Sequence, residues 1–243
     1  MNPIRLYAIG PPGSFKTRLA YTFPDVLFLD FDYGLSGLLA EGKEVTFVRP
    51  ATWQECLLIK MQLCRNEEME VNGKRLKPGT VVIDTITEMY PICGDAILSI
   101  DPKKKMNIKI GEGILTDSGH REVMDMSDFG LALTRVMTYV RDLVRDFHGH
   151  VVVNAHEELF EQAAGTVKLK QVGGGAALPG KLRARLPSLF DIYCRMLPRT
   201  SVDPVRMQSA ADDQFPLKDR FGKLPAFLEN PSYEKIVAHL QGG

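Results

Sequence analysis

The sequence has only four cysteines in 243 residues, Cys56, Cys64, Cys93 and Cys194, with no CxxC pair and no histidine at zinc-ligand spacing. That argues against a disulfide framework or a zinc site, and for free thiols in a reducing compartment. Net charge is missing as well, because thirty Lys and Arg balance thirty Asp and Glu. A polyanionic partner can therefore be argued only from local clustering. No run approaches the ~18 apolar residues of a membrane span. The start, Met1-Asn2-Pro3-Ile4-Arg5, lacks the apolar stretch of a signal peptide. A cytoplasmic location with no membrane partner is the expectation. Internal repeats and low-complexity tracts are also absent.

What is present is ordinary for a globular chain, 44% hydrophobic and 25% charged residues. The length suits one α/β domain over residues 1–243, with a core at 1–197 and a C-terminal extension at 198–243 packed on it. Short β-branched apolar runs at Ile4 to Ile9, Val26 to Leu29, Val81 to Ile83 and Val151 to Val153 read as buried parallel strands. Between them, Phe129 to Phe147 carries helical periodicity, and a helix over Thr52 to Cys64 links the second and third runs. Asn72-Gly73 and Pro78-Gly79 mark turns before the third. Strand-helix alternation predicts a central, mostly parallel sheet flanked by helices. Two stretches break it, Pro91 to Asp128 and Glu157 to Pro179, and both read as irregular, functional or poorly ordered loops.

The first run leads into Gly10-Pro11-Pro12-Gly13-Ser14-Phe15-Lys16-Thr17 and then into a helical pattern from Thr17 to Tyr21. Strand, small-residue loop and helix are the setting of a phosphate-binding loop, G-x-x-x-x-G-K-[ST]. Backbone N–H groups and the helix start face the phosphates, Lys16 reaches the β- and γ-phosphates, and the Thr17 hydroxyl sits on Mg²⁺. The candidate ATP contacts are residues 10 to 17 with Arg18. Phe15 departs from the pattern where a second glycine is usual. A side chain there requires a backbone angle that ordinary residues adopt and a ring turned away from the phosphates. A chance Gly-Pro turn is the competing reading.

Three further strand ends supply partners. Val81-Val82-Ile83-Asp84 places a carboxylate for Mg²⁺, so Thr17 and Asp84 are the candidate metal ligands, and Thr85 follows in the same shell. Asp30 and Asp32 leave the second strand on one side, and Asp32 can orient and deprotonate water or simply stabilise the turn before Gly34. His156, closing Val153-Asn154-Ala155-His156, can sense the γ-phosphate or be an ordinary satisfied histidine. The candidate catalytic set is Lys16, Asp32, Asp84 and His156.

These segments, together with LPGKLRARLPSLFDIYCRM at Leu178 to Met196 and LKDRFGKLP at Leu217 to Pro225, resemble the RecA-like ATPases. The resemblance is in particular to small phage ATP-binding proteins that act as recombinases or single-strand annealing proteins. It implies ATP and Mg²⁺ as cofactors, a RecA-type core, single-stranded DNA as partner, a ring- or filament-forming homo-oligomer, and a single-strand DNA-binding protein as a further partner. In that family a glutamate is usual where Asp32 stands and a glutamine where His156 stands. The loop after the sensor strand contacts DNA there, which points to Lys168 and Lys170.

From Gly165 to Lys223 eleven basic residues face five acidic ones. Such an excess suits phosphate contacts along a single strand, or a solvated basic face, or an intersubunit phosphate clamp. Lys103, Lys104 and Lys105 form a second DNA candidate. Lys181, Arg183, Lys218 and Arg220 are candidates for a cation acting across a subunit interface on the transferring phosphoryl group. A non-hydrolysing nucleotide-gated DNA-binding protein and a small-molecule kinase are the rival functions.

Overall fold

The computed structural model describes residues 2–100, 124, 126–164 and 168–242, with no side-chain detail at 100, 161–164 and 168–172. Six strands run parallel in the order β9 (Ile192–Leu197), β1 (Arg5–Gly10), β7 (His150–Ala164), β6 (Thr80–Asp84), β2 (Val26–Asp30) and β3 (Thr46–Val48). Beyond β9 the sheet continues antiparallel through β10 (Arg206–Gln208) and β12 (Phe227–Glu229), while β11 (Lys218–Asp219) also pairs with β9.

The pleat explains why the central runs are apolar throughout. Tyr7, Ile9, Val81, Ile83, Val151 and Val153 face one core, and Leu6, Ala8, Val82 and Val152 face the other. The first core is closed by α3 (Trp53–Cys64), α4 (Ile86–Ile100) and α5 (Met126–Asp146). The second is closed by α1 (Lys16–Tyr21), α2 (Ser36–Ala40) and α7 (Tyr233–Gln241). Two helix starts are fixed by side-chain caps: Thr52 accepts from the Glu55 N–H on α3, and Ser232 from the Lys235 N–H on α7. Asn72 and Gly73, both with positive φ, form the tight turn between β4 (Met69–Val71) and β5 (Lys74–Leu76).

Both stretches expected to be irregular contain regular structure. The first ten residues of the 91–128 stretch belong to α4, with Pro91 inside the helix. Burial of Ile86, Met89, Cys93 and Ile97 outweighs the one hydrogen bond that Pro91 cannot donate. The 157–179 stretch is corrected from loop to β-hairpin, since β7 runs on past the sheet and pairs antiparallel with β8 (Lys168–Ala176). The glycines there serve pairing and packing, because a Cβ on Gly174 would sit 2.4 Å from the Phe215 ring. That ring is fully buried. After the hairpin, α6 (Gly180–Arg185) leads back to β9.

Candidate nucleotide site

The carboxyl ends of β1, β2, β6 and β7 meet at one edge. In register, Asp30 lies beside Asp84, Asp84 beside Asn154, and Gly10 beside His156. Four strand ends thus bring distant residues together, in the crevice where open α/β sheets bind ligands. A cavity of about 330 Å³ opens there, lined by the loop from Pro12 to Arg18 together with Asp32, Asp84, Thr85 and His156.

The loop leaves β1 tightly. A Cβ on Gly10 would stand 2.5 Å from Ser14 Oγ and 2.7 Å from the Met196 carbonyl oxygen, so only glycine fits. The Lys16 ammonium donates to the Gly10 carbonyl at 2.8 Å, the Pro11 carbonyl at 3.0 Å and Ser14 Oγ at 3.3 Å. Burial lowers the Lys16 pKa, opposed by the charges of Asp84, Asp32 and Glu157. This buried cation is surrounded by carbonyl dipoles, which a triphosphate can replace.

Phe15 contradicts one expectation. Its backbone is left-handed, φ 68° and ψ 22°, which is the conformation the missing glycine would adopt freely. The side chain is held by packing instead, partly buried against the second core with the Arg18 guanidinium 5.3 Å from the ring centroid.

Thr17 Oγ1 donates to Asp84 Oδ2 at 2.7 Å, and Asn154 Nδ2 donates to Asp84 Oδ1 at 3.1 Å. Even so, burial pushes the Asp84 carboxyl up to about 6, with the neighbouring Asp32 charge adding to it. A hydroxyl and an electron-rich buried carboxylate, side by side and short of positive charge, fit a hard divalent cation such as Mg²⁺. The Asp84–Thr85 peptide is cis.

Asp32 Oδ1 accepts from the Gly34 N–H at 2.9 Å, and its Oδ2 lies 3.6 Å from His156 Nε2. Burial raises the Asp32 pKa above the usual carboxylate range, while the Gly34 bond and His156 pull it down. His156 itself donates its backbone N–H to Thr87 Oγ1 at 3.0 Å. Asp30 is committed elsewhere, accepting from the Gly34 N–H and from Arg49 Nε at 2.8 Å.

Three groups in this region went unrecognised in the sequence. Asn154 fixes the orientation of Asp84, and the available signal was one amide inside the apolar run Val151 to Ala155. Glu157 receives a two-pronged bond from Arg195, whose guanidinium carbon lies 3.9 Å from the Phe215 centroid. Arg49 lies against the rings of Tyr33 and Phe47. The Glu157–Arg195 pairing spans thirty-eight residues and leaves no local pattern.

The basic candidates are scattered. Arg183 donates to the Leu178 carbonyl and Glu158, Lys218 to the Pro187 carbonyl, and Arg220 to Asp191. Lys181 is exposed and has no hydrogen-bond or ion-pair partner among the described residues. Lys168 and Lys170 lie on β8, with side chains outside the description, and Lys103, Lys104 and Lys105 lie outside the described residues altogether. Among the described residues no helix is long and apolar enough to cross a membrane.

A phosphate-binding loop on a mostly parallel, helix-flanked sheet, with a buried lysine and a threonine-aspartate pair at the strand ends, defines an ATP-binding P-loop domain. The family described as AAA domain matches residues 2–221, and the chain belongs to that family. No curated protein matches it. One solved structure that it resembles is entitled "Crystal structure of the RadB recombinase", at 14% identity and a TM-score of 0.47, covering 94% of this chain and 88% of that one.

Proposed function

We propose that this chain is a RecA-like ATPase that uses ATP and Mg²⁺ and acts as a homo-oligomer on single-stranded DNA, promoting annealing or strand exchange. The observation that carries the ATPase reading is the convergence of Lys16, Thr17, Asp32, Asp84 and His156 on one cleft. On ATP binding, the Lys16 ammonium exchanges its carbonyl partners for phosphate oxygens. Mg²⁺, held by Thr17 and Asp84, would neutralise charge on those oxygens. Asp32, raised in basicity by burial and steered by Gly34 and His156, takes the proton of the attacking water.

The DNA reading rests on the basic excess in residues 165–223 and on strand continuity, since β7 carries His156 from the cleft directly into the hairpin bearing Lys168 and Lys170. Lys181, exposed and without a partner among the described residues, is the candidate of the four cations to act on a neighbouring subunit's phosphates. A specific observation favours a second reading, a nucleotide-gated binder that does not hydrolyse: Asp32 is a short carboxylate tied to its own turn at Gly34.

Phosphate release with and without single-stranded DNA, compared with Lys16→Ala, separates the two. DNA-stimulated turnover that vanishes in the variant supports the ATPase, and tight ATP binding without stimulated turnover supports the gate. Charge reversal at Lys168 and Lys170 is expected to weaken single-strand binding and to flatten its dependence on salt between ~50 and 200 mM. Unaltered salt dependence would remove both lysines from the interface.

A further inference from the structure

The turn that carries Asp32 is braced from the side away from the cleft. Asp30 closes β2 and Arg49 follows β3, each one residue beyond the paired Leu29 and Val48. The two strands therefore bring an acid and a base together although nineteen residues separate them. Arg49 Nε donates to Asp30 Oδ2 at 2.8 Å, and Asp30 is buried. The Arg49 guanidinium also lies over two rings, 4.5 Å from the Tyr33 centroid and 4.8 Å from that of Phe47. A planar cation held by two rings and a carboxylate has one preferred position.

The other oxygen of Asp30 reaches the turn itself. Asp30 Oδ1 accepts from the Gly34 N–H at 3.0 Å, the same N–H that Asp32 Oδ1 accepts at 2.9 Å. One backbone hydrogen thus ties both carboxylates. Anionic oxygens that converge on one donor repel each other, and the Arg49 charge offsets that of Asp30. Tyr33 has a left-handed φ of 61°, unusual for a side chain of that size, and its ring contact with Arg49 supports the angle. The turn is also close to the metal-binding side of the cleft, since a Cβ on Gly34 would stand 2.8 Å from Asp32 Oδ1 and 3.6 Å from Thr17 Oγ1.

We propose that the Asp30–Arg49 ion pair is the positioning element of Asp32: it fixes the Gly34 N–H in the place from which Asp32 is aimed at the attacking water. Among the described residues that line the cleft neither Asp30 nor Arg49 appears, so both act through the turn. Asp32 is a short side chain, and its reach is set by the backbone that carries it. A base removes a proton only within hydrogen-bond reach, and a displacement of about 1 Å can cost ~100-fold in rate. ATP is held by other groups, the loop and Lys16, so loosening the turn lowers turnover without releasing the nucleotide. This rests on the reading of the chain as an ATPase with Asp32 as its base, and the test separates the two.

Phosphate release with single-stranded DNA gives kcat, and calorimetry with Mg²⁺ and ATP gives Kd. Both are measured on the parent, on Arg49→Met, and on two double variants, Asp30→Asn/Arg49→Met and Asp30→Leu/Arg49→Met. Arg49→Met alone leaves the buried Asp30 charge without its cation, which endangers the fold. Both double variants remove both charges, and only Asp30→Asn keeps an oxygen to accept the Gly34 N–H. The kcat of Asp30→Leu/Arg49→Met is expected to lie at least about tenfold below that of Asp30→Asn/Arg49→Met, with their ATP Kd values within about twofold. Arg49→Met, once folded, is expected to fall with the former, and adding Asp30→Asn to it recovers turnover. Equal kcat in the two double variants, a kcat for folded Arg49→Met equal to the parent's, or ATP affinity lost in step with kcat overturns the positioning role and leaves the ATPase standing. No turnover in any of the proteins, the parent included, overturns the ATPase reading and the positioning role with it.

Discussion

Replacing Asp84 by asparagine should make the nucleotide-free protein more stable at neutral pH while weakening the protection it gains from Mg²⁺ with ATP. Asp84 is 1% exposed, and its pKa is raised from 3.8 to about 6. A carboxyl whose pKa rises on folding binds its proton more tightly in the native state. Between those two pKa values the native state therefore carries more protons than the unfolded chain, and stability falls as pH rises. The difference of about 2 pH units, at ~1.4 kcal/mol each, makes the ionised carboxylate a cost of about 3 kcal/mol above pH 6.

Asparagine removes that cost and keeps the local bonds. Its Oδ1 can accept from Asn154 Nδ2, and its Nδ2 can donate to the Thr17 hydroxyl, replacing the two bonds Asp84 accepts. Denaturant unfolding from pH 4 to 8, with EDTA present, should show the variant gaining on the parent by up to about 3 kcal/mol across the pH 4 to 6 window. Other titrating groups act in both proteins, so the difference reports Asp84 together with its coupling to Asp32 and Lys16. Mg²⁺ with ATP should protect the parent and protect the variant far less, since the ligand supplies the positive charge the carboxylate lacks. Parallel pH curves, or a variant less stable than the parent at pH 7, would refute the reasoning.

Two further outcomes rest on single residues. Phe15→Gly should be more stable than Phe15→Ala by about 1 kcal/mol in thermal or denaturant melts, because both lose the ring but only alanine keeps a Cβ at φ 68°; an equal or reversed order would mean that the left-handed backbone is relaxed at no cost. His150 Nδ1 accepts the Ile4 N–H at 2.9 Å, and burial lowers its pKa, so the folded state favours the neutral ring. Stability from that bond is present above pH 6.5 and lost as the unfolded ring protonates below it. His150→Asn, whose amide oxygen can accept the same bond, should lose this acid sensitivity. Identical acid-side slopes for parent and variant would exclude the histidine.

The parts of the fold visible in the sequence were those whose physics is local. β1, β2, β6 and β7 are buried on both faces by helices, so they read as continuous apolar runs, and α5 shows its periodicity because one face packs and the other is wet. The phosphate loop was legible for the same reason, as strand, turn and helix are contiguous. β9 to β12 were missed because they are short or interrupted by charge: Arg195 sits within β9, paired with Glu157, thirty-eight residues earlier in the chain. The hairpin of β7 and β8 looked like a loop because glycine weakens strand propensity, yet Gly174 is there to let Phe215 reach the core.

The site followed the same division. Lys16, Thr17, Asp32, Asp84 and His156 each end a legible strand or open a legible helix, so their meeting follows from parallel topology alone. Position 15 shows where such inference fails. A rule derived from backbone sterics excludes phenylalanine from a left-handed angle, and the chain adopts it because the ring packs on a core assembled from α1, α2 and α7. Strain of about 1 to 2 kcal/mol at one residue is smaller than the burial of a large aromatic surface, so the tertiary term prevails. A residue that breaks a local rule beside a ligand cleft is thereby the one whose side chain has work the rule does not describe.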